Sequence, residues 1–319
     1  MDFSPVHASI KTWYEQNGRH DLPWRNTDDP YPVYLSEIML QQTQVKTVLE
    51  RFYFPFLEAF PTLKSVADAP QEAVLKQWQG LGYYTRARNL HAAAQACGGK
   101  LPKTSAELQK LPGLGKTTAN AVAAFAYREA VPIMDANVKR ILCRFFALKS
   151  PTPKTLWEKA EALMDWSDPF HYNQAMMDIG AAVCTPKTPA CTECPLQAGC
   201  KGRKDPTAYP APKKAKKVPH HKKIALIPLH QGKIGLIRRT TKLLHGLWGF
   251  IQQDEAPEVS RPVGEASHAY SHFKLTLEAH IVETRPQCDG WFTVEEIDTL
   301  PLSKIDEKIL ALYRADTTN

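Results

Sequence analysis

A chain of 319 residues is long enough for two domains, each with its own core. Its formal net charge of +7 suits a polyanionic partner. No early apolar run has signal-peptide form and none is long enough to span a bilayer, so a soluble, intracellular protein is expected.

From Pro5 to about Lys223 the apolar residues recur at three- and four-residue intervals, as helices require. Val33, Leu35, Ile38, Met39, Val45, Val48, Leu49 and Phe52 describe a helix over 33–52 that carries Glu37 in line with Gln41 and Gln44. Prolines at 55, 61, 70, 102, 112, 132 and 151 punctuate the segments. The chain is organised around Leu111-Pro-Gly-Leu-Gly-Lys-Thr-Thr-Ala-Asn-Ala-Val122, where Pro112, Gly113 and Gly115 separate a short helical run (105–111) from a second one reaching Tyr127. Residues 105–127 thus read as helix–hairpin–helix. A glycine hairpin at a helix start aims unpaired backbone N–H groups at one point, and the helix dipole adds positive potential there. A phosphate fits that point with no base being read. Further on, Asp135 stands ahead of Val138, Ile141, Leu142 and Phe145, in the position of a helix N-cap.

Four of the seven cysteines, Cys184, Cys191, Cys194 and Cys200, form C-x6-C-x2-C-x5-C. In a reducing compartment such bunching favours metal over cystine. Four thiolates in one short loop suit either a cubane iron–sulfur cluster or a tetrahedral zinc. Residues 201–223 are short of apolar side chains and rich in Pro and Lys (Lys213, Lys214, Lys216, Lys217, Lys222, Lys223). They read as a linker, lying along a phosphate backbone or serving as a solvated tether.

The period then changes. Ile224–His230 and Ile234–Arg239 form a hairpin through Gln231-Gly232-Lys233. His268–Val282 alternates as a strand, with Tyr270, His272, Lys274, Thr276 and Glu278 on one face and Phe273, Leu275 and Leu277 on the other. Trp291–Val294 is a short strand, and Ile305, Ile309, Leu310 and Leu312 close the chain in a helix. Residues 224–319 are therefore a smaller α+β domain.

The hairpin LPGLG, the segment Pro132–Arg140 (PIMDANVKR) and the cysteine cluster together resemble the helix–hairpin–helix DNA glycosylases. Within them LPWR (22–25), SEIMLQQTQV (36–45), GLGYYTRARNL (80–90) and NQAMMDIGA (173–181) resemble the MutY adenine glycosylases, a likeness spanning nearly all of residues 8–200. The resemblance implies a mostly α region at 1–200, a six-helix barrel with a [4Fe–4S] loop at 184–200. The reaction it implies is hydrolytic removal of adenine mispaired with 8-oxoguanine, and with guanine, in base excision repair. The partner implied is double-stranded DNA, met by a monomer in the cytoplasm beside a bacterial-type nucleoid.

Breaking an adenine N-glycosidic bond needs a proton on the leaving base and negative charge near a cationic sugar, a task for two carboxylates in unlike environments. By resemblance Glu37 is the acid that protonates adenine N7, with a pKa raised by burial, and Asp135 stabilises the sugar. Asn137 orients groups around them. Trp24, Arg25, Leu40 and Asp178 line the adenine pocket, although Arg25 and Asp178 alone read as surface charges. By the same resemblance Tyr83 is the wedge beside the orphaned lesion once the base is extruded, Gln42 and Leu81 contact that lesion, and Thr43 lies at the DNA. Gly113, Gly115 and Lys116 hold phosphates, together with a monovalent cation.

Thr117 marks a departure. The endonuclease III branch, the competing reading as a pyrimidine or thymine glycosylase, has a nucleophilic lysine there. Here the lysine is one residue earlier, turned about 100° away. A monofunctional enzyme without lyase activity follows. In the C-terminal domain Gly246–Phe250 (GLWGF) is similar to Nudix folds, but the phosphohydrolase box is missing. Only Asp254, Glu255 and Glu258 lie in a Pro-broken segment. Tyr270-Ser271-His272 resembles the F-S-H motif with which the family senses 8-oxoguanine, with tyrosine in place of phenylalanine.

Overall fold

A computed structural model describes residues 2–212 and 217–318, and among these no helix is long and apolar enough to cross a membrane. Lys213, Lys214 and Lys216 of the basic linker lie outside the described residues. The chain packs into two compact units, one of residues 1–42 with 96–214, the other of 43–95 with 215–319.

The first unit is helical. Its core gathers Val6, Ile10 and Tyr14 of the helix Ser4–Asn17, Ile141, Leu142 and Phe145 of Ala136–Phe145, and Ala175, Met176 and Ile179 of Pro169–Ala182. The stretch read as one helix over 33–52 is two. The first, Pro30–Met39, is capped by Asp29, whose side chain accepts from the Tyr31 amide at 2.9 Å. It stops at Leu40, and Gln42 takes a left-handed φ of +60° before the second helix, Val45–Arg51, begins. Gln41 and Gln44 are therefore not on the Glu37 helix. The break has no Gly or Pro to announce it. In the hairpin the first helix is only Ser105–Leu108 and the second is Lys116–Tyr127. Gly113 supplies the turn at φ +77°, whereas Gly115 is extended at φ −75°, with open space where a Cβ would stand.

The second unit joins short helices to a mixed sheet. Its strands are β1 (His220–His230), β2 (Lys233–Arg238), β3 (Trp248–Gly249), β4 (Ile251–Gln253), β5 (Arg261–Ala269), β6 (Lys274–Val282) and β7 (Gly290–Phe292). The order is β3-β2-β1-β6-β5, with β4 on β1 and β7 on β2; β1 and β6 run parallel and the other pairs antiparallel. The β1–β2 hairpin lies where the sequence puts it, with Leu229 opposite Ile234. The alternating run 268–282 is not one strand: β5 ends at Ala269, the chain turns through 270–273, and β6 begins at Lys274. The helix Lys304–Thr318 packs Ile305, Ile309 and Leu310 on the sheet.

Polar contacts fasten the helices 53–95 to this sheet. Trp248 Nε1 donates to Glu72 Oε1 at 2.6 Å, and Tyr84 Oη to the Leu302 carbonyl at 3.2 Å. Lys76 Nζ donates to the carbonyls of Asp298 (2.6 Å) and Leu300 (3.0 Å). They set the Gly80–Gly82 turn beside the turn between β5 and β6.

Candidate active site

The helix Pro30–Met39 presents Glu37 from an otherwise buried face, between Ser36 and Ile38. Burial, and to a smaller extent the nearby Asp135 carboxylate, push its carboxyl up to about 7 against the opposing charge of Arg25. Glu37, Asp135 and Arg25 thus share one electrostatic neighbourhood. Asp135 caps the helix Ala136–Phe145, its Oδ1 accepting from the Val138 amide at 2.7 Å and its Oδ2 from Asn137 Nδ2 at 3.1 Å. Burial raises its pKa as well, while the Val138 and Asn137 hydrogen bonds and Arg140 pull the other way. The two acids therefore differ in kind. Glu37 is stabilised in its neutral form, and Asp135 has donors that favour the anion.

Asn137 is itself held. Its Oδ1 accepts from Arg140 Nη2 at 2.9 Å, and Arg140 also donates to the Gly180 carbonyl (2.5 Å) and, through Nε, to the Cys184 carbonyl (2.6 Å). A Cβ at Gly180 would stand 2.5 Å from Asn137 Cβ, so the two helices approach as closely as they do because residue 180 has no side chain. Gly180→Ala is expected to displace Asn137, costing about 1–3 kcal/mol in urea unfolding and lowering activity. Wild-type stability and turnover in that variant would refute the close approach. Sequence reasoning passed over Arg140 and Gly180, although both lie inside motifs it singled out.

Arg25 and Asp178, which alone read as surface charges, are a buried pair. Nη1 and Nη2 of Arg25 donate to Oδ2 and Oδ1 of Asp178, each at 2.8 Å, and the Asp178 side chain is 2% exposed. Arg19 adds its backbone N–H (2.9 Å) and Nε (2.7 Å). Trp24 is buried beside Arg25 in sequence, and Leu40 is half-buried at the end of the Glu37 helix. Thr117 Oγ1 donates to the Met134 carbonyl at 3.2 Å, and Lys116 Nζ sits 4.1 Å from the centre of the Trp157 ring.

All four clustered cysteines line one cavity, together with Arg144, Arg203 and Pro206. Burial, with smaller contributions from the other three cysteines and against a hydrogen bond from the Leu196 backbone, pushes the Cys194 thiol up to about 12. Arg144 Nη1 lies 3.2 Å from Cys184 Sγ and 2.7 Å from the Thr185 carbonyl. Among the described residues no three His, Cys, Asp or Glu side chains are placed to hold a single metal ion.

In the second unit Leu81 is buried, Thr43 Oγ1 accepts from Arg86 Nη2 at 3.3 Å, and Tyr83 is exposed at φ +49°. Ser271 and His272 are exposed on the β5–β6 turn. Tyr270 instead turns inward and stacks on Phe273 at 4.6 Å. Its hydroxyl is buried near Ser303 and Asp306 without a well-formed hydrogen bond. Tyr270→Phe is therefore expected to leave stability unchanged or raise it by up to about 1 kcal/mol, read as the urea midpoint. A lower midpoint would show that the hydroxyl has a partner. Asp254, Glu255 and Glu258 lie exposed in the helix-free stretch between β4 and β5, where Lys223 Nζ meets Asp254 at 3.1 Å.

Residues 35–165 match the HhH-GPD superfamily of base excision DNA repair proteins, and residues 224–312 match the NUDIX domain. The adenine DNA glycosylase of Homo sapiens is 32% identical over 98% of this chain and 74% of its own length. That of Buchnera aphidicola subsp. Schizaphis graminum is 31% identical over 96% and 97%. The chain belongs to the adenine DNA glycosylases. Among solved structures, a thermostable thymine-DNA glycosylase is similar at TM-score 0.58 and 28% identity, over 64% of this chain and 99% of its own. An endonuclease III in a non-covalent DNA complex reaches 0.55 at 19% identity, over 64% and 97%, a likeness of fold. Each covers 64% of this chain, whereas these two adenine DNA glycosylases match nearly all of it, the Nudix-like domain included. This is an enzyme of base excision repair, and DNA is its partner.

Proposed function

We propose that this adenine DNA glycosylase acts on adenine opposite 8-oxoguanine, and opposite guanine, in duplex DNA by a monofunctional, hydrolytic route. The observation that carries the mechanism is the unlike surroundings of two neighbouring carboxyls, one held mainly by burial and the other supplied with hydrogen-bond donors. Glu37, held near pKa 7 by burial, keeps a proton to give to N7 of the everted adenine; Asp135, supplied with hydrogen-bond donors, offers negative charge to the sugar as the bond breaks. Asn137 fixes Asp135, and Asp178 fixes Arg25 at the pocket. Thr117, engaged with the Met134 carbonyl, offers no amine to attack the sugar.

Tyr83 enters the duplex beside the orphaned base, which Ser271 and His272 of the same unit read; Gln42, of the helical unit, contacts the DNA. Residues 224–319 serve as the lesion-reading domain. Gly113, Gly115 and Lys116 receive the phosphates, Gly115 because its open Cβ position lets a backbone come close. The cysteine cavity suits a [4Fe–4S] cluster held by Cys184, Cys191, Cys194 and Cys200. The four cysteines line a common space, and the Arg144 guanidinium balances thiolate charge. When bound, the cluster supplies a covalent fastening of the loop 184–200.

Incubation with duplexes bearing A:8-oxoguanine, A:G, T:G or an oxidised pyrimidine, each divided into alkali-treated and untreated halves, tests the reading. Strand scission only after alkali, and only on the adenine strand, is expected. Scission without alkali would refute the monofunctional route, and release of thymine or oxidised pyrimidine would favour the endonuclease III-like alternative.

A further inference from the structure

Tyr83 is 47% exposed, yet its side chain is engaged at both its face and its tip. The Arg86 guanidinium lies 5.3 Å from the ring centre, and the phenol oxygen is 2.8 Å from Ser271 Oγ. Its backbone sits at φ +49°, between Gly82 at +75° and the helix Thr85–Ala96. A non-glycine residue persists there only when its surroundings enforce it. Ser271 is presented by an equally defined turn. The Tyr270 amide donates to the Phe273 carbonyl at 2.8 Å, and the two rings stack at an interplanar angle of 23°. The hydroxyl of an exposed serine, on a different segment 188 residues away, thus meets the tip of an exposed tyrosine.

We propose that Ser271 is a positioning residue for Tyr83, holding the phenol so that the ring already has its DNA-entering orientation in the free enzyme. The turn 270–273 and the Gly80–Gly82 turn then meet the duplex as one element. The ordering of the tyrosine side chain is completed before binding instead of being charged against it. This rests on the reading of Tyr83 as the residue that enters the duplex.

A double-mutant cycle tests it. Tyr83→Phe, Ser271→Ala and the pair are titrated with a duplex carrying a 2′-fluoro-stabilised adenine opposite 8-oxoguanine. A 2-aminopurine beside the mispair reports unstacking. Because the bond is at the surface, Tyr83→Phe is expected to weaken binding roughly threefold, and Ser271→Ala by at least as much. The double variant should be no weaker than Ser271→Ala, which already lacks the hydroxyl that holds the phenol, and Ser271→Thr, which keeps the hydroxyl, should bind as wild type does. Additive losses, or a loss in Ser271→Ala with none in Tyr83→Phe, would overturn the positioning role. Tyr83→Ala separates this from the parent reading. If it abolishes the 2-aminopurine signal while the cycle is additive, the wedge stands and the positioning role falls. If it changes neither affinity nor signal, both fall.

Discussion

Glu37→Gln is expected to slow adenine release by about a hundred- to ten-thousandfold, the usual range for a lost general acid, while mispair binding persists. The amide has the shape of the carboxylic acid, so the packing around residue 37 is kept, but it has no acidic proton to give. The wild-type carboxyl is raised to about 7 first by burial and then by Asp135, so it is largely protonated at pH 6 and largely ionised at pH 8. The single-turnover rate should fall with an alkaline limb near pH 7, and the variant should lack that limb. Stability supplies a second readout with a definite sign. The folded protein holds this proton more tightly than the unfolded chain, whose carboxyl titrates near 4.5. Wild-type stability therefore declines as pH rises from about 4.5 through 7, by roughly 1–3 kcal/mol, and the variant is spared the decline. The two proteins should be alike at pH 4.5, with Glu37→Gln the more stable at pH 8. Undiminished turnover in the variant would remove Glu37 from the chemistry.

Much of the site was legible because its residues sit where local rules operate. Asp135 is followed by an amphipathic helix, and a capping aspartate there needs no tertiary information. The two runs flanking Gln231-Gly232-Lys233 pair as their period-two pattern says they should. What escaped was set by packing across the fold. Residues 40–44 contain nothing that breaks a helix, yet the chain turns left-handed at Gln42. Tyr270 belongs to an alternating pattern that assigns it to a strand face, and it leaves the strand to stack on Phe273. Arg25 and Asp178 are 153 residues apart, so no local pattern distinguishes their buried pair from two solvated charges. Gly180 looks like a tolerated helix glycine until Asn137 is seen against it. The residues that hold others in place were the ones a linear reading undervalued.

Asp178→Ala is expected to have the largest effect on stability, a loss of about 3 kcal/mol, the lower end of the range for breaking a buried pair because Arg19 is partly solvated. The cost comes less from the attraction removed than from the guanidinium left behind, since the Arg25 side chain is only 8% exposed. Burial pushes the Asp178 carboxyl up, but hydrogen bonds and charge from Arg25, with the Arg19 amide, outweigh it and hold it below 3.8. The pair's contribution is thus fully present above pH 3.8 and lost as acid carries the solution below that value. Asp178→Asn should recover little, because its amide group turns a donor toward donors. Arg25→Met with Asp178→Leu should recover most of the loss, because the charge left behind, on Arg19, is partly solvated. The same change reaches the chemistry. Arg25 already draws the Glu37 pKa downward, and without Asp178 its positive charge is no longer offset. In Asp178→Ala the alkaline limb of adenine release should therefore move to lower pH, with Arg25→Met moving it the opposite way. A limb that stays fixed in both variants would show that Arg25 and Glu37 do not share a field, and would leave the buried pair as a matter of folding alone.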